Sequence, residues 1–247
     1  MNEKIINSIK SNFKTLIIAL FIAVVIRSLF FQPFYIPSSS MEPTMLIGDR
    51  IFASKYSYGV SKHSFPFSPP FFSGRIFGSK PNRGDIVIFK TPQDNRTDFV
   101  KRLIGLPKDE IQFINGELLI NSEIVSRKKS TRPKYEIRCN NDSIEVETFI
   151  ETLPNGVEYT TAYRKEGTYL NSDKYIVPNN HYFFLGDNRD CSSDSRYTQG
   201  VGYVSYENLV GKAEIIFFSN DSKKGSVLKL WNWNETFRFN RFFKKLK

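Results

Sequence analysis

Histidine is scarce in this chain of 247 residues: only His63 and His181 occur. His63 lies in a Pro/Phe-rich stretch with no orienting carboxylate beside it, and His181 opens a short apolar strand. A hydrolase built on a histidine base therefore has little to work with. No HExxH, no CxxC pair and no phosphate-binding glycine loop is present, so no metal or other cofactor is expected. The two cysteines, Cys139 and Cys191, make no metal-ligand pattern, and two free thiols are the expectation. Internal repeats are lacking. Helical periodicity is lacking after residue 32, and only one apolar run is long enough to cross a bilayer.

The net charge of +10 and pI near 9.5 fit either nucleic acid or an anionic membrane as partner. The apolar run decides for membrane lipid and against nucleic acid. It extends from about Asn12 to Phe31, with an uncharged centre from Leu16 to Ile26. About twenty residues at ~1.5 Å rise match the ~30 Å hydrocarbon thickness. Arg27 lies near one end, where a long side chain reaches the interface. A cleaved leader is the alternative, but the bulky residues from Arg27 to Pro33 offer no small-x-small site. Lys4, Lys10 and Lys14 flank the short N-terminal side and predict a cytoplasmic N-terminus with the body outside.

Beyond the anchor, β-branched and aromatic runs alternate with Gly, Pro and Asn turns, which predicts an all-β body of antiparallel sheet behind one transmembrane helix. The expected layout is a short tail at 1–11, an anchor at 12–32 and an extracytoplasmic β domain at 33–221. A β lobe is inserted at about 111–177, and a basic aromatic tail occupies 222–247. That tail suits either an anionic membrane surface or a frayed, solvated end. The stretch from Tyr56 to Phe77 interleaves Tyr58, Phe65, Phe67, Phe71, Phe72 and Phe77 with prolines. It fits a core-filling loop or an aromatic surface dipping into the interface.

Three blocks carry chemistry. Between Pro37 and Pro43 stand Ser38, Ser39 and Ser40. The prolines stiffen this segment, so a serine on it can point its hydroxyl in a fixed direction; a plain Ser/Pro linker is the competing reading. Lys101 shares a strand face with Phe99 and Leu103, which places its ammonium among apolar groups and suits a base of lowered pKa; an exposed edge lysine is the alternative. The run from Gly186 to Arg196 is too dense in mixed charge for an ordinary hairpin. Its carboxylates can pair with Arg189, Arg196 or Arg102, and it lacks the sixth-position glycine of a calcium loop.

Taken in order, the Ser40 stretch, Gly48-Asp49, the Arg83–Phe89 block, Lys101-Arg102 with Gly105-Leu106-Pro107, and Gly186–Asp190 resemble the bacterial type I signal peptidases. The resemblance implies a membrane-anchored serine endopeptidase working with a Ser/Lys dyad. Its substrates would be signal-peptide-bearing preproteins, cut after small residues at −1 and −3 at the outer face of the bacterial inner membrane. Carried over by position, the nucleophile falls on Ser40 and the base on Lys101. The oxyanion hydroxyl falls on Ser38, and the serine holding the lysine falls on Ser192, with Asp194 and Arg196 as supporting charges. Phe34, Ile36, Met41, Met45, Phe99 and Val100 fall on pocket positions. Two positions depart from the pattern: Ser39 stands where glycine is common, and Cys191 where Asn is common. A different Ser/Lys peptidase and a non-enzymatic anchored β scaffold are the rival readings.

Overall fold

The structure is a computed structural model; it describes residues 3–69, 73–131, 135–139, 142–221, 224–225 and 232–246. Glu3–Leu29 form one helix, α1, whose segment Asn7–Leu29 has a mean hydropathy of 1.9 and is long and apolar enough to cross a membrane. Arg27 sits in its last turn. The chain passes almost directly into the body, because β1 (Phe31–Tyr35) begins just beyond the helix end.

β1 pairs with β2 (Asp49–Ser54), and β3 (Ile86–Lys90) pairs with β4 (Asp98–Gly105). The Ile-Val-Ile-Phe run of β3 is buried on both sides. Ile86 and Ile88 enter one core with Ile36, Met41 and Met45, while Val87 and Phe89 enter another with Leu103 and Phe184. Alternation along one strand thus feeds two cores, one on each face of the sheet.

The inserted segment follows. β5 (Glu110–Ile114), β6 (Glu117–Ile120) and β7 (Glu123–Ile124) form a meander. β8 (Ser126–Lys129), β9 (Tyr135–Cys139), β10 (Asp142–Thr152) and β11 (Glu158–Arg164) make a second small sheet. β12 (Tyr175–Ile176) returns to β5. Ile104, Phe183 and Leu185 of the main sheet share a core with Ile111, Phe113 and Ile120, so the insertion grows from the sheet rather than standing apart.

β13 (His181–Leu185), β14 (Val204–Ser205) and β15 (Leu209–Ser219) complete the main sheet, in the order β1-β2-β15-β3-β4-β13-β14. The paired strands are antiparallel, as the turn-rich sequence predicts.

Two expectations need revision or refinement. Cys139 and Cys191 are not free thiols; they form a disulfide that ties β9 to the loop after β13. The pairing spans 52 residues and two sheets, so no local pattern could announce it. The described part of the C-terminal tail is not frayed either. β16 (Lys244–Lys245) pairs with β15, Leu246 enters the main core, and Arg241 makes a buried ion pair with Asp49 at 2.5 Å. Phe237 and Phe242 pack edge-on or tilted against Phe218, and Phe239 packs in the same manner against both of them. In the Pro/Phe-rich stretch Tyr58 is buried, whereas Phe67 and Phe77 are almost wholly exposed; Phe71, Phe72, Trp231 and Lys247 lie outside the described residues.

Closing a loop of this length by a disulfide is worth about 2–4 kcal/mol. Reductant should therefore lower the urea midpoint of the wild type to that of Cys139→Ser and leave the variant unchanged. An unmoved wild-type midpoint after full reduction would remove the bridge from the fold's stability.

Candidate active site

The serine segment is built as the turn between β1 and β2. Ile36 still bonds across to β2 through its N–H to Asp49 O, and Gly48 N returns to Ile36 O. Between them the chain coils tightly, with Glu42 N on Ser39 O and Met45 N on Met41 O. Met41 and Met45 plug the core and fix the turn from beneath. Asn188 fixes it from the side: its N–H bonds Ser40 O at 3.1 Å and its amide nitrogen bonds Ser39 O at 3.1 Å. Ser40 is left nearly buried, with Ser38 Oγ 3.3 Å from its own Oγ.

Lys101 reaches this turn from β4, in the middle of the sheet. Its Nζ lies 2.7 Å from Ser40 Oγ and donates to Val100 O at 3.1 Å. The Phe99 ring lies 5.1 Å from the nitrogen. Burial pulls the amine's pKa down to about 8, against the opposing pull of Asp194 and Asp187. That opposing pull is small because each carboxylate already has an arginine. Asp187 takes Arg102 Nε and Nη2 at 2.7 Å each, and Asp194 takes Arg196 Nε at 2.8 Å. Burial alone would raise the Asp194 carboxyl; Arg196 and the Gly186 N–H outweigh it and hold the group below the usual carboxylate range. Lys101 is thus a buried amine without a carboxylate of its own, close to a hydroxyl.

The loop after β13 organises the rest. Gly186 is required by close approach: a Cβ there would run into Ser192 Oγ and lie 2.5 Å from Ser40 O. Arg189 is fully buried and pairs with Glu151 of β10, and the Tyr159 and Tyr163 hydroxyls each donate to the same carboxylate at 2.7 Å. Ala162 N bonds Asp187 O, and Asp190 accepts from Arg164 N and Tyr169 N. The small second sheet therefore clamps this loop, with the disulfide as a covalent addition.

Around Ser40 opens a cleft of about 410 Å³. Phe34, Ile36, Met41, Phe99 and Val100 line it, together with Ser38 and Lys101. Met45 does not; it is completely buried in the core below. Ser192 is buried against Gly186, and its hydroxyl faces the Asp194 carboxylate, which it helps to hold ionised. Asp194 and Arg196 pair behind the loop. The two histidines stand aside. His63 Nδ1 meets Ser68 Oγ, and burial with nearby Lys62 lowers its pKa to about 4. His181 Nδ1 meets Asn179 O.

Sequence reasoning did not single out Asn188, Glu151 or the cleft position of Cys191. Asn188 stands inside a motif that had been recognised as a block, so its presence was visible and its task was not. Glu151 carries no local signal at all, since its partner is 38 residues away.

A family profile described as "Signal peptidase, peptidase S26" matches residues 9–218. Signal peptidase I of Rickettsia typhi (strain ATCC VR-144 / Wilmington) is 41% identical over 263 residues, covering 99% of this chain and 97% of that protein. Signal peptidase I of Rickettsia conorii (strain ATCC VR-613 / Malish 7) is 43% identical over 243 residues, covering 91% of this chain and 88% of that protein. A crystal structure of a signal peptidase I from Enterococcus faecalis V583 is 29% identical and covers 54% of this chain and 97% of its own, with a TM-score of 0.32.

Lysine-specific NMR of the protein in micelles should find two lysines, Lys101 and Lys55, titrating near about 8, and Lys101→Arg should remove one of the two signals. A midpoint at the ordinary ~10.4 would contradict the buried, unpaired geometry. Gly186→Ala should cost about 1–3 kcal/mol of stability by overpacking the loop against Ser192 and Ser40, read by chemical unfolding.

Proposed function

The chain belongs to the signal peptidase family, peptidase S26, and is a serine endopeptidase; we propose that it removes N-terminal signal peptides from exported preproteins with a Ser40/Lys101 dyad. The observation that carries this reading is the 2.7 Å approach of Lys101 Nζ to Ser40 Oγ, where burial holds the amine near neutrality at about 8.

In the reactive form Lys101 is a neutral amine and the Ser40 hydroxyl donates to it. Ser40 Oγ attacks the carbonyl carbon of the residue at −1, and its proton passes to Nζ. The carbonyl oxygen gains negative charge and is met by the Ser40 N–H and the Ser38 hydroxyl. The C–N bond then breaks, and the Lys101 ammonium returns its proton to the departing amine. An ester to Ser40 remains. Water, deprotonated by the same amine, hydrolyses it and restores the hydroxyl. Asp194 stays ionised against Arg196, so it does not hold the lysine in its charged form. Ser192, which the resemblance assigns to holding the lysine, lies against Gly186 beside Ser40 O.

Selectivity for small residues at −1 and −3 follows from the walls. Phe34, Ile36, Phe99 and Val100 make a narrow apolar cleft, and a bulky side chain must displace packed groups to enter it. The anchor helix leads directly into β1, which forms one wall, so the cleft stays near the bilayer end of the body. This suits a substrate whose apolar segment remains in the membrane while its cut site lies just outside. In this reading the N-terminus is cytoplasmic, and the body faces outward from the bacterial inner membrane.

Cleavage of a purified precursor by the full chain in detergent tests the dyad. Ser40→Ala and Lys101→Arg should each lose about 10³-fold or more, and Ser38→Ala about 10²–10³-fold. Wild-type kcat/KM should rise with pH through about 8, because the amine is protonated and idle below that value. A working Lys101→Arg enzyme would end the proposal.

The cleft walls have their own test. Changing the −1 residue of the precursor from Ala to Leu should reduce kcat/KM about ten- to hundred-fold. Equal turnover of both precursors would refute the pocket assignment.

A further inference from the structure

A second cavity, of about 680 Å³, lies on the other side of Asp98 from the cleft and has no part in the chemistry above. Four cationic side chains line it, Arg27, Lys55, Lys90 and Arg96, against the single carboxylate of Asp98. Lys90 uses that carboxylate, at 2.9 Å. Lys55 is only 3% exposed, and its ammonium has one hydrogen-bond acceptor, Ser64 O at 2.7 Å, with no ion pair among the described residues. Arg27 and Arg96 likewise have no carboxylate partner among the described residues. A buried ammonium beside further unpaired cations is an arrangement that an anion would stabilise. Desolvation and the repulsion of Arg27 and Lys90 outweigh the attraction of Asp98 and lower the Lys55 pKa to about 8, which points the same way.

The position of the cavity identifies the anion's source. Arg27 belongs to the last turn of the helix that is long and apolar enough to span a membrane, which sets the cavity at headgroup level. Exposed aromatic rings accompany it: Phe67 lines the cavity, and Phe31 and Tyr56, which pack edge to face, are the sequence neighbours of the lining residues Gln32 and Lys55. We propose that this cavity binds the phosphate of an anionic phospholipid headgroup, with Lys55 as the deep contact and Arg27 and Arg96 at the mouth. The site fixes the body against the bilayer at a defined orientation, which a single helix alone would leave free to swivel. The inference depends on α1 spanning the membrane and not on the identity of the catalytic base.

The test uses the full chain in dodecyl maltoside micelles, with thermal unfolding followed during titration of phosphatidylglycerol, phosphatidylcholine or inorganic phosphate. A ligand that binds only the folded chain raises Tm in a saturable way. Phosphatidylglycerol should do so at lower concentration than either of the others. In Lys55→Met, which removes the buried charge but keeps the side chain's bulk, half-saturation should move about five-fold or more to higher lipid. Arg96→Gln, at an exposed position that does not threaten folding, should move it about five-fold as well. Lys128→Gln, an exposed lysine on β8, should leave the titration unchanged. Equal potency of phosphatidylcholine would overturn recognition of an anionic headgroup. Equal potency of inorganic phosphate would overturn the lipid as the source. A phosphatidylglycerol response identical in the wild type, Lys55→Met and Arg96→Gln would overturn the site itself.

Discussion

The buried ion pair between Arg102 and Asp187 is the constraint on which the site depends. Both side chains are essentially without solvent exposure, and the guanidinium meets the carboxylate through two nitrogens. Arg102 directly follows Lys101 on β4, so the pair fixes the strand that carries the amine to the loop that grips the Ser40 turn. Thr44 of that turn donates to the same carboxylate at 2.5 Å. One desolvated charge pair thus sets the relative positions of three segments far apart in sequence. Removing one partner of such a pair leaves an uncompensated buried charge and costs about 3–5 kcal/mol, so the geometry around Ser40 cannot drift cheaply.

The same pairing logic keeps Lys101 chemically useful. A buried amine near two carboxylates would ordinarily be held charged by them. Here Arg102, Arg196 and, farther out, Arg189 absorb the negative charge of Asp187, Asp194 and Glu151. Desolvation then wins at Lys101, and its pKa falls while those of the surrounding arginines rise. The Glu151–Arg189 pair and the Cys139–Cys191 bridge carry this arrangement into the inserted β sheet, which thereby braces the loop behind Ser40.

Toward the end of α1 the charge balance is reversed. Behind the cleft Asp187, Asp194 and Glu151 each have an arginine, whereas around Lys55 the cations outnumber the carboxylates. Two neighbouring cavities therefore differ in electrostatic character while sharing Asp98 on the wall between them. The anchor helix ends in the basic one and feeds the strand that walls the apolar one. The short connection from α1 to β1 places the end of the apolar helix and the cleft around Ser40 side by side.

By itself the sequence determined the local features. The spacing of apolar residues made α1 and the two-faced run of β3, proline and turn residues shaped the Ser40 segment, and the scarcity of histidine directed attention to Lys101. These follow from nearest-neighbour geometry and periodicity, which a linear chain records directly. Family resemblance placed Ser38, Ser192, Asp194 and Arg196 near them in order, but not in contact. Only the tertiary structure decided that Cys139 meets Cys191 rather than remaining free, that Met45 belongs to the core and not to the cleft, and that the basic aromatic tail closes the sheet through Arg241 and Asp49. It alone paired Arg189 with Glu151 and left Lys55 buried without a carboxylate. Each of these depends on which distant groups share a desolvated space, and that is fixed by packing between strands, not by the order of residues along any one of them.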